Sequence, residues 1–152
     1  MSEENKELIR RWFEEVWNRG RAEAIDELFA ADGVAHGLSG AGGDELRGPA
    51  DFRVFHRSFR EAFPDIEIVV EDVIAEGDKV AALCTARATH RSNALGFAAT
   101  NRPVDFNGVA IVRVRDGQIA EAWNCFDFLT MYQQLGAVEF KSPTDDALPA
   151  TD

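Results

Sequence analysis

Residues 104–126 read VDFNGVAIVRVRDGQIAEAWNCF. Apolar side chains alternate along this stretch with a period of two, which is the pattern of β-strands. Asp116-Gly117 interrupts the alternation, and an Asp-Gly pair between two such runs indicates a tight hairpin turn. We therefore predict two antiparallel strands, Val104–Val114 and Gln118–Phe126, and the rest of the fold follows from this hairpin.

The same alternation continues on the N-terminal side of the hairpin. Apolar residues from Ile66 onward predict a strand that ends at the turn Glu76-Gly77-Asp78. A second strand, Lys79–His90, follows this turn, and a loop over residues 91–103 leads into the hairpin. Consecutive strands joined in this way predict an antiparallel sheet.

Helical spacing replaces this alternation in the first third of the chain. We predict a first helix that Ser2 caps and Gly20 ends, and a second helix that ends at Ala31-Asp32-Gly33. A third helix opens at Gly48-Pro49, because proline is tolerated in the first turn, and ends at Pro64.

Two segments lack either period. Residues 33–48 are rich in glycine and predict a mobile loop, whereas residues 139–152 carry prolines and acids and predict a disordered tail. A short last helix, residues 128–135, precedes the tail. We expect residues 1–138 to form one domain.

Helices followed by a run of strands predict an α+β fold, with three N-terminal helices packed on an antiparallel sheet and a short C-terminal helix. Residues 109–112 and 123–128 are largely apolar on both faces of their strands. A sheet with one solvated face should carry polar residues there. Because the helices cover only one face, we predict a homodimer through the back of the sheet.

The charge of the chain limits its partners. Sixteen basic residues stand against 27 acidic ones, which gives a formal charge of −11. Such a surface repels phosphate backbones and anionic lipids, so we expect neither a nucleic-acid nor a membrane partner. The N-terminal residues lack the regions of a signal peptide, so we expect a cytoplasmic protein. Cys84 and Cys125 are expected to be buried free thiols.

Several motifs occur in a characteristic order along the chain. They are Asn5–Gly20, Phe63-Pro64-Asp65, Glu76–Val80, Thr89-His90, Arg113–Ile119 and Gln134-Leu135-Gly136. This pattern, over residues 5–136, resembles the SnoaL-like branch of the nuclear-transport-factor-2-like superfamily. The resemblance implies a curved sheet wrapped against the helices as a cone that encloses an apolar pocket.

The resemblance also implies a chemistry, from which this chain departs. The founding enzymes close a polyketide ring by aldol condensation without metal or organic cofactor, and an aspartate on the last long strand moves the proton. Counting back from Gln134-Leu135-Gly136 places that aspartate at Asn124, and a companion histidine and glutamine at Ala110 and Gly108. An amide cannot accept a proton as a carboxylate does, so Asn124 is expected to donate a hydrogen bond to an oxyanion instead.

Asp127 is the carboxylate that remains near the expected pocket. In a functional interpretation, surrounding aromatic residues raise its pKa and it acts as a general acid or base. In a structural interpretation, it directly precedes the last helix and caps the amide of Leu129 or Thr130, which lowers its pKa.

Three histidines offer further polar groups. His36 lies in the glycine-bordered loop, where it either reaches the mouth of the cavity as a second candidate to move a proton or is solvated. His56 lies on the aromatic face of the third helix and either has a core partner or looks into the cavity. His90 extends a strand face of small residues, which leaves space for a pocket.

We expect the pocket to bind a small apolar molecule. Its expected lining, besides these histidines, is Phe13, Trp17, Phe59, Trp123 and Phe126. No spacing of histidines predicts a metal, and no glycine-rich fingerprint predicts a nucleotide cofactor. Two functions remain: a cofactor-independent enzyme of the isomerase, cyclase or hydrolase type acting on a small carbonyl or ester compound, or a non-catalytic small-molecule binder. A third, structural role as a dimerisation module would require a cavity too small for a ligand.

Overall fold

A computed structural model of the chain describes residues 2–38 and 45–141. Its helices are α1 (Ser2–Arg11), which continues as a π-helical segment (Trp12–Asn18), α2 (Glu23–Leu28), α3 (Gly48–Ala62) and α4 (Phe128–Gln134). Its strands are β1 (Phe29–His36), β2 (Leu46–Arg47), β3 (Glu67–Glu76), β4 (Lys79–Thr89), β5 (Pro103–Arg115) and β6 (Gln118–Phe126).

The six strands form one curved, unclosed sheet in the order β2-β1-β6-β5-β4-β3. The predicted hairpin is confirmed, since β5 and β6 pair antiparallel with Ile111 opposite Trp123. Strands β3, β4 and β5 pair antiparallel as predicted. The α+β class is confirmed, but the sheet is mixed because β1 runs parallel to β6.

The prediction that residues 33–48 form only a loop is wrong at both ends. Residues 29–36 form β1 and residues 46–47 form β2. The Asp32-Gly33 pair lies within an irregularity of the β1–β6 register, between Phe29 and Val34, rather than in a chain-reversing turn. An irregularity of this kind places turn-type residues inside a strand, and a local pattern cannot distinguish them from a loop.

The first helix changes its winding at Trp12. From there to Asn18 the chain is π-helical, and the N–H of Arg19 donates to the carbonyl of Glu14, five residues earlier. The predicted apolar stripe nevertheless faces inward. All of its residues are buried: Leu8, Ile9, Trp12, Phe13, Val16 and Trp17.

The hydrophobic core lies between the helices and one face of the sheet, here called the inner face. Alternate residues of β4 and β5 point into this core, including Cys84, Ala86 and Phe106. The opposite, outer face carries no described helix. None of the described helices is long and apolar enough to cross a membrane. The predicted disordered tail lies outside the described residues from 142 onward.

Candidate ligand cavity

A cavity of about 50 Å³ lies between α3, the first helix and the inner face of the sheet. Aromatic side chains from both helices form one wall, and small residues of the strands, such as Ala86 and Ala110, form the other. Apart from the indole N–H groups of Trp12 and Trp17, Asn124 is the one polar side chain among the described lining residues. The interior is therefore suited to an apolar molecule.

The cavity is small. Pockets for drug-sized ligands typically measure about 300–1,000 Å³, and an engineered cavity of about 150 Å³ accommodates benzene. Several lining side chains keep partial exposure and mark the side where the cavity approaches the surface: Leu38, Phe55, Asn124, Phe126 and Phe128. A ligand larger than a few water molecules has to displace some of these side chains.

Asn124 lies on β6 and faces the cavity, as strand parity and the resemblance implied. Its Nδ2 donates a hydrogen bond of 3.0 Å to the backbone carbonyl of His36, at the end of β1. The amide thus ties the cavity wall to the neighbouring strand. Because this bond joins β6 to the end of β1, Asn124 has a structural role that does not depend on a ligand.

Gly37 allows this approach of the two strands. Its φ is +87°, and a Cβ built on it would overlap the backbone oxygen of Asn124. Glycine tolerates both conditions because it has no Cβ. The next residue, Leu38, then turns into the cavity lining.

Asp127 caps α4 and is not among the residues that line the cavity. One carboxylate oxygen accepts from the N–H of Thr130 at 3.0 Å and the other from its hydroxyl at 2.6 Å. The hydroxyl bond and the backbone bond from Thr130 hold the pKa of Asp127 below its usual value. A carboxylate in this state is a weak base at neutral pH.

His36 points to the outer face rather than into the cavity. Its ring stacks on Trp123 with centroids 5.8 Å apart, and its Nε2 donates to Glu121 at 2.7 Å. Arg113 lies 3.5 Å from the other oxygen of Glu121. The hydrogen bond from His36, together with the charge of Arg113, holds the pKa of Glu121 below its usual value.

His56 and His90 are buried but are not among the lining residues of the closed cavity. His56 donates through Nε2 to the carbonyl of Val16 at 2.7 Å. Burial lowers the pKa of His56, and the charge of Arg60 lowers it further, while the bond to Val16 opposes both effects. His56 therefore has the core partner that the structural interpretation anticipated.

His90 anchors the loop that follows β4. Its Nδ1 accepts from the N–H of Thr100 at 3.1 Å, so the proton of the neutral ring lies on Nε2. That Nε2 is fully buried between Phe63 and Phe97 and has no hydrogen-bond partner among the described residues.

Four of the five predicted aromatic lining residues lie on the cavity: Phe13, Trp17, Phe59 and Phe126. Trp123 does not. Successive residues of a strand point to opposite faces, so Trp123, which follows Ala122 and precedes Asn124, lies on the outer face. The expected lining also lacked Phe29, which the sequence pattern had assigned to the inner side of the second helix, and Leu38, which directly follows the unpredicted strand β1.

The cysteines offer no activated thiol inside the cavity. Cys84 is buried, and burial raises the pKa of its thiol to about 12. Cys125 is exposed, which corrects the expectation that both are buried; it shares the outer face with Trp123. Within residues 2–38 and 45–141, no cluster of three or more His, Cys, Asp or Glu side chains could hold a metal ion.

A mixed sheet with helices on one face and an apolar cavity between them defines the class of pocket-bearing α+β proteins. The family model described as SnoaL-like polyketide cyclase matches residues 7–135. The chain belongs to this family.

Relatives and solved structures agree with this assignment. Aklanonic acid methyl ester cyclase DnrD of Streptomyces peucetius is 29% identical over 132 residues, which cover 86% of this chain and 89% of that protein. The crystal structure of IdmH from Streptomyces antibioticus is 34% identical, with a TM-score of 0.75 over 87% of this chain and 98% of the other. A SnoaL-like protein from Jannaschia sp. CCS1, 24% identical, has a TM-score of 0.80 over 91% and 95% of the two chains and shows the likeness of fold.

Proposed function

We propose that this protein is a small-molecule binder, which holds an apolar compound in the cavity between the helices and the sheet. The observation that carries the proposal is the lining, which is aromatic and aliphatic apart from the amide of Asn124. The carboxylate of the founding cyclases is absent at that position, and Asp127 and His36 have partners elsewhere. The pocket of the fold is retained while its expected base is not.

Binding requires the cavity to widen. Phe55 is the partly exposed aromatic residue of α3 on the lining, and its ring lies 5.6 Å from that of Phe59. Aromatic rings in such a cluster have alternative rotamers, and apolar burial of a ligand offsets the cost of rearrangement. Truncating Phe55 should therefore enlarge the cavity from its open side.

Tryptophan fluorescence can test this proposal directly. Trp12 and Trp17 line the cavity, whereas Trp123 lies on the outer face, so Trp123→Phe leaves the two cavity reporters. Titration of this variant with a panel of small aromatic and alicyclic compounds should change its emission and raise its Tm. At a ligand concentration of about 100 times Kd, the stabilisation should reach about 2.7 kcal/mol.

The enlarged variant Phe55→Ala serves as the matched control for size. If no compound changes emission or Tm in either protein, the binder proposal fails and the third role, a structural dimerisation module, takes its place. The small volume of the closed cavity is the observation that favours that outcome.

A second candidate is a cofactor-independent enzyme of the cyclase, isomerase or hydrolase type. Membership of a family of polyketide cyclases, and relatives named as cyclases at 29% identity, favour it. In this candidate, Asp127 or His36 moves the proton and Asn124 donates a hydrogen bond to the oxyanion, while His56 and His90 contact the substrate once the cavity has widened.

Product analysis separates the enzyme from the binder. A panel of ketones, esters and epoxides is incubated with the protein, and the mixture is examined by mass spectrometry. A reproducible product supports the enzyme, whereas a compound recovered unchanged from the complex supports the binder. If a product forms, Asp127→Asn with unaltered turnover and folding removes Asp127 from the mechanism, and His36→Gln tests the other group.

We also propose a homodimer through the outer face of the sheet. Leu83, Val109, Ile111 and Trp123 are all partly exposed there, on three adjacent strands. Leu83 pairs with Val109, and Ile111 pairs with Trp123, so the four side chains form a continuous patch. A contiguous apolar patch on a sheet is the kind of surface that a second copy covers.

Light scattering coupled to size-exclusion chromatography tests the dimer. Ile111→Glu should convert the dimer to a monomer, because it places a charge in the centre of the patch. Val54→Glu is the matched control, since Val54 is 61% exposed on α3, away from this face. A monomeric parent protein would overturn the proposal. A cytoplasmic location remains a proposal as well.

A further inference from the structure

The orientation of the Asn124 amide is fixed by its partner. A backbone carbonyl can only accept a hydrogen bond, so the atom that lies 3.0 Å from the carbonyl oxygen of His36 is the NH2 group. The carboxamide oxygen of Asn124 is therefore held on the other side of the group. An aspartate at this position could not make the same bond while ionised.

The carbonyl of His36 is itself held in place from two sides. On one side, Gly37 brings the chain directly against the backbone of Asn124. On the outer face, the ring of His36 stacks on Trp123 and donates to Glu121 at 2.7 Å. The end of β1 is thus a fixed acceptor, and the amide cannot flip without losing its bond to it.

The groups that Asn124 can offer to a ligand follow from this arrangement. No donor among the described residues makes a hydrogen bond to its Oδ1, and Oδ1 is the one side-chain acceptor of the described lining, since the indoles of Trp12 and Trp17 can only donate. We propose that Asn124 is the specificity-determining residue of the cavity and that its Oδ1 accepts a hydrogen bond from a neutral hydroxyl group of an otherwise apolar ligand, such as a phenol or an enol. The proposal rests on the proposed binding function and gives its ligand a chemical class.

Physical chemistry favours a hydroxyl over the alternatives. A ligand hydroxyl buried against apolar walls is costly unless it finds an acceptor, and Oδ1 is the acceptor on this lining. A ligand carbonyl would instead face Oδ1 with a second acceptor. An anionic ligand would enter an apolar cavity in a chain of net charge −11, which disfavours it as well.

Three small probes of similar shape test this selection: p-cresol, p-xylene and p-tolualdehyde. They carry a hydroxyl, a methyl and a carbonyl group at the same position. Affinities are measured by the fluorescence of Trp12 and Trp17 in the Trp123→Phe protein, and again with Phe55→Ala added. We expect p-cresol to bind about 10-fold more tightly than either of the others, as one buried neutral hydrogen bond provides.

Substitution of the amide then isolates its contribution. Asn124→Leu should reduce the ratio between p-cresol and p-xylene to about 1, because the acceptor is removed. Asn107→Leu is the matched control, since Asn107 is exposed on β5, and its ratio should stay that of the parent. If Asn124→Leu does not fold, NMR spectroscopy of the parent protein provides the test instead. Binding of p-cresol, but not of p-xylene, should shift the proton signals of the Asn124 side-chain amide downfield.

The outcomes separate the two levels of the proposal. If none of the probes binds even to the Phe55→Ala protein, the binding function itself fails. If p-xylene binds as tightly as p-cresol, the cavity binds ligands but Asn124 does not select them. Preferential binding of p-tolualdehyde would overturn the inference in the other direction, since Asn124 would then act through its second N–H.

Discussion

The two faces of the sheet carry different kinds of side chain, because successive residues of each strand point to opposite faces. The inner face, with the helices packed on it, carries aromatic and small apolar residues around a cavity whose described polar side chain is Asn124. The outer face carries the titratable pair His36 and Glu121, beside Trp123 and a partly exposed apolar patch. The titratable side chains and the apolar cavity lining therefore lie on opposite faces of the sheet, although Trp123 and Asn124 are adjacent in sequence.

A residue that is close to Asn124 in the sequence does not therefore lie in the cavity. Asp127 is three residues beyond Asn124, yet it caps a helix. His36 contributes its carbonyl to the amide of Asn124 and its ring to the outer face. The same residue thus links both faces through backbone and side chain.

The largest expected effect comes from opening the inner face. Phe59→Ala removes a side chain that is 7% exposed. The centroid of its ring lies 5.7 Å from that of Trp17 and 5.1 Å from that of Phe63. The free energy of unfolding should fall by about 3–5 kcal/mol, measured by urea denaturation. Ile74→Ala on the outer face, where the side chain is 66% exposed, should cost about 1 kcal/mol or less. Equal losses would mean that the inner face is not the packed one.

The second test concerns the close approach of β1 to β6. Gly37→Ala combines a positive φ with an overlap against the backbone of Asn124, so we expect a loss of about 3 kcal/mol in the free energy of unfolding. Gly117→Ala is the control, because its φ is +73° but nothing lies within 4 Å of the added Cβ. It should cost about 1 kcal/mol, and a similar loss in both variants would contradict the contact.

The third test restores the carboxylate of the founding cyclases. Asn124→Asp replaces the donor to the His36 carbonyl with an acceptor, which should cost about 1–3 kcal/mol at neutral pH. Only the protonated acid can donate to that carbonyl, so folding should raise the pKa of the new carboxyl group. The loss should therefore be small at pH values of about 4 and grow as the pH rises toward about 8.

Asn107→Asp provides the comparison for this test, because Asn107 is exposed on β5 and its side chain makes no comparable bond among the described residues. Thermal unfolding of both variants across this pH range measures the difference. A pH-independent loss in Asn124→Asp would show that the carbonyl of His36 does not determine the state of this group.

The smallest expected effect is at the cap of α4. Asp127→Asn keeps one capping oxygen but loses the negative charge and the second acceptor for Thr130, so it should lower the Tm by only about 1–2 °C at about pH 7. Hydrogen bonds from Thr130 hold the folded-state pKa of Asp127 below its unfolded value, so the stabilisation is present above the unfolded pKa and is lost as the pH falls through the folded pKa. The difference from the parent should thus vanish near about pH 2. Asp78→Asn, in the exposed turn after β3, should leave the Tm unchanged at both values.

Much of the fold could be predicted from local pattern. The bounds of β6 agree with the structure, those of β4 and β5 agree within one residue, and α3 ends two residues before the predicted Pro64. These elements bury alternate or helically spaced apolar residues, so their period is visible without knowledge of their neighbours. Strand β1 could not be predicted in this way, since its longer pairing is with β6, more than 80 residues away, and its irregular segment contains residues typical of a turn.

The candidate site divides along the same line. The sequence by itself determined the aromatic stripe of the helices and the set of β6 residues that share a face with Asn124, because periodicity and residue identity are local properties. The absence of an aspartate at position 124 followed only from the resemblance to the family, and the structure decided which face of β6 lines the cavity. Tertiary structure alone decided that the amide of Asn124 is tied to His36, that His36 and Trp123 stack on the outer face, and that the closed cavity measures about 50 Å³. These depend on contacts between distant segments, whose distances are set by packing rather than by any local pattern.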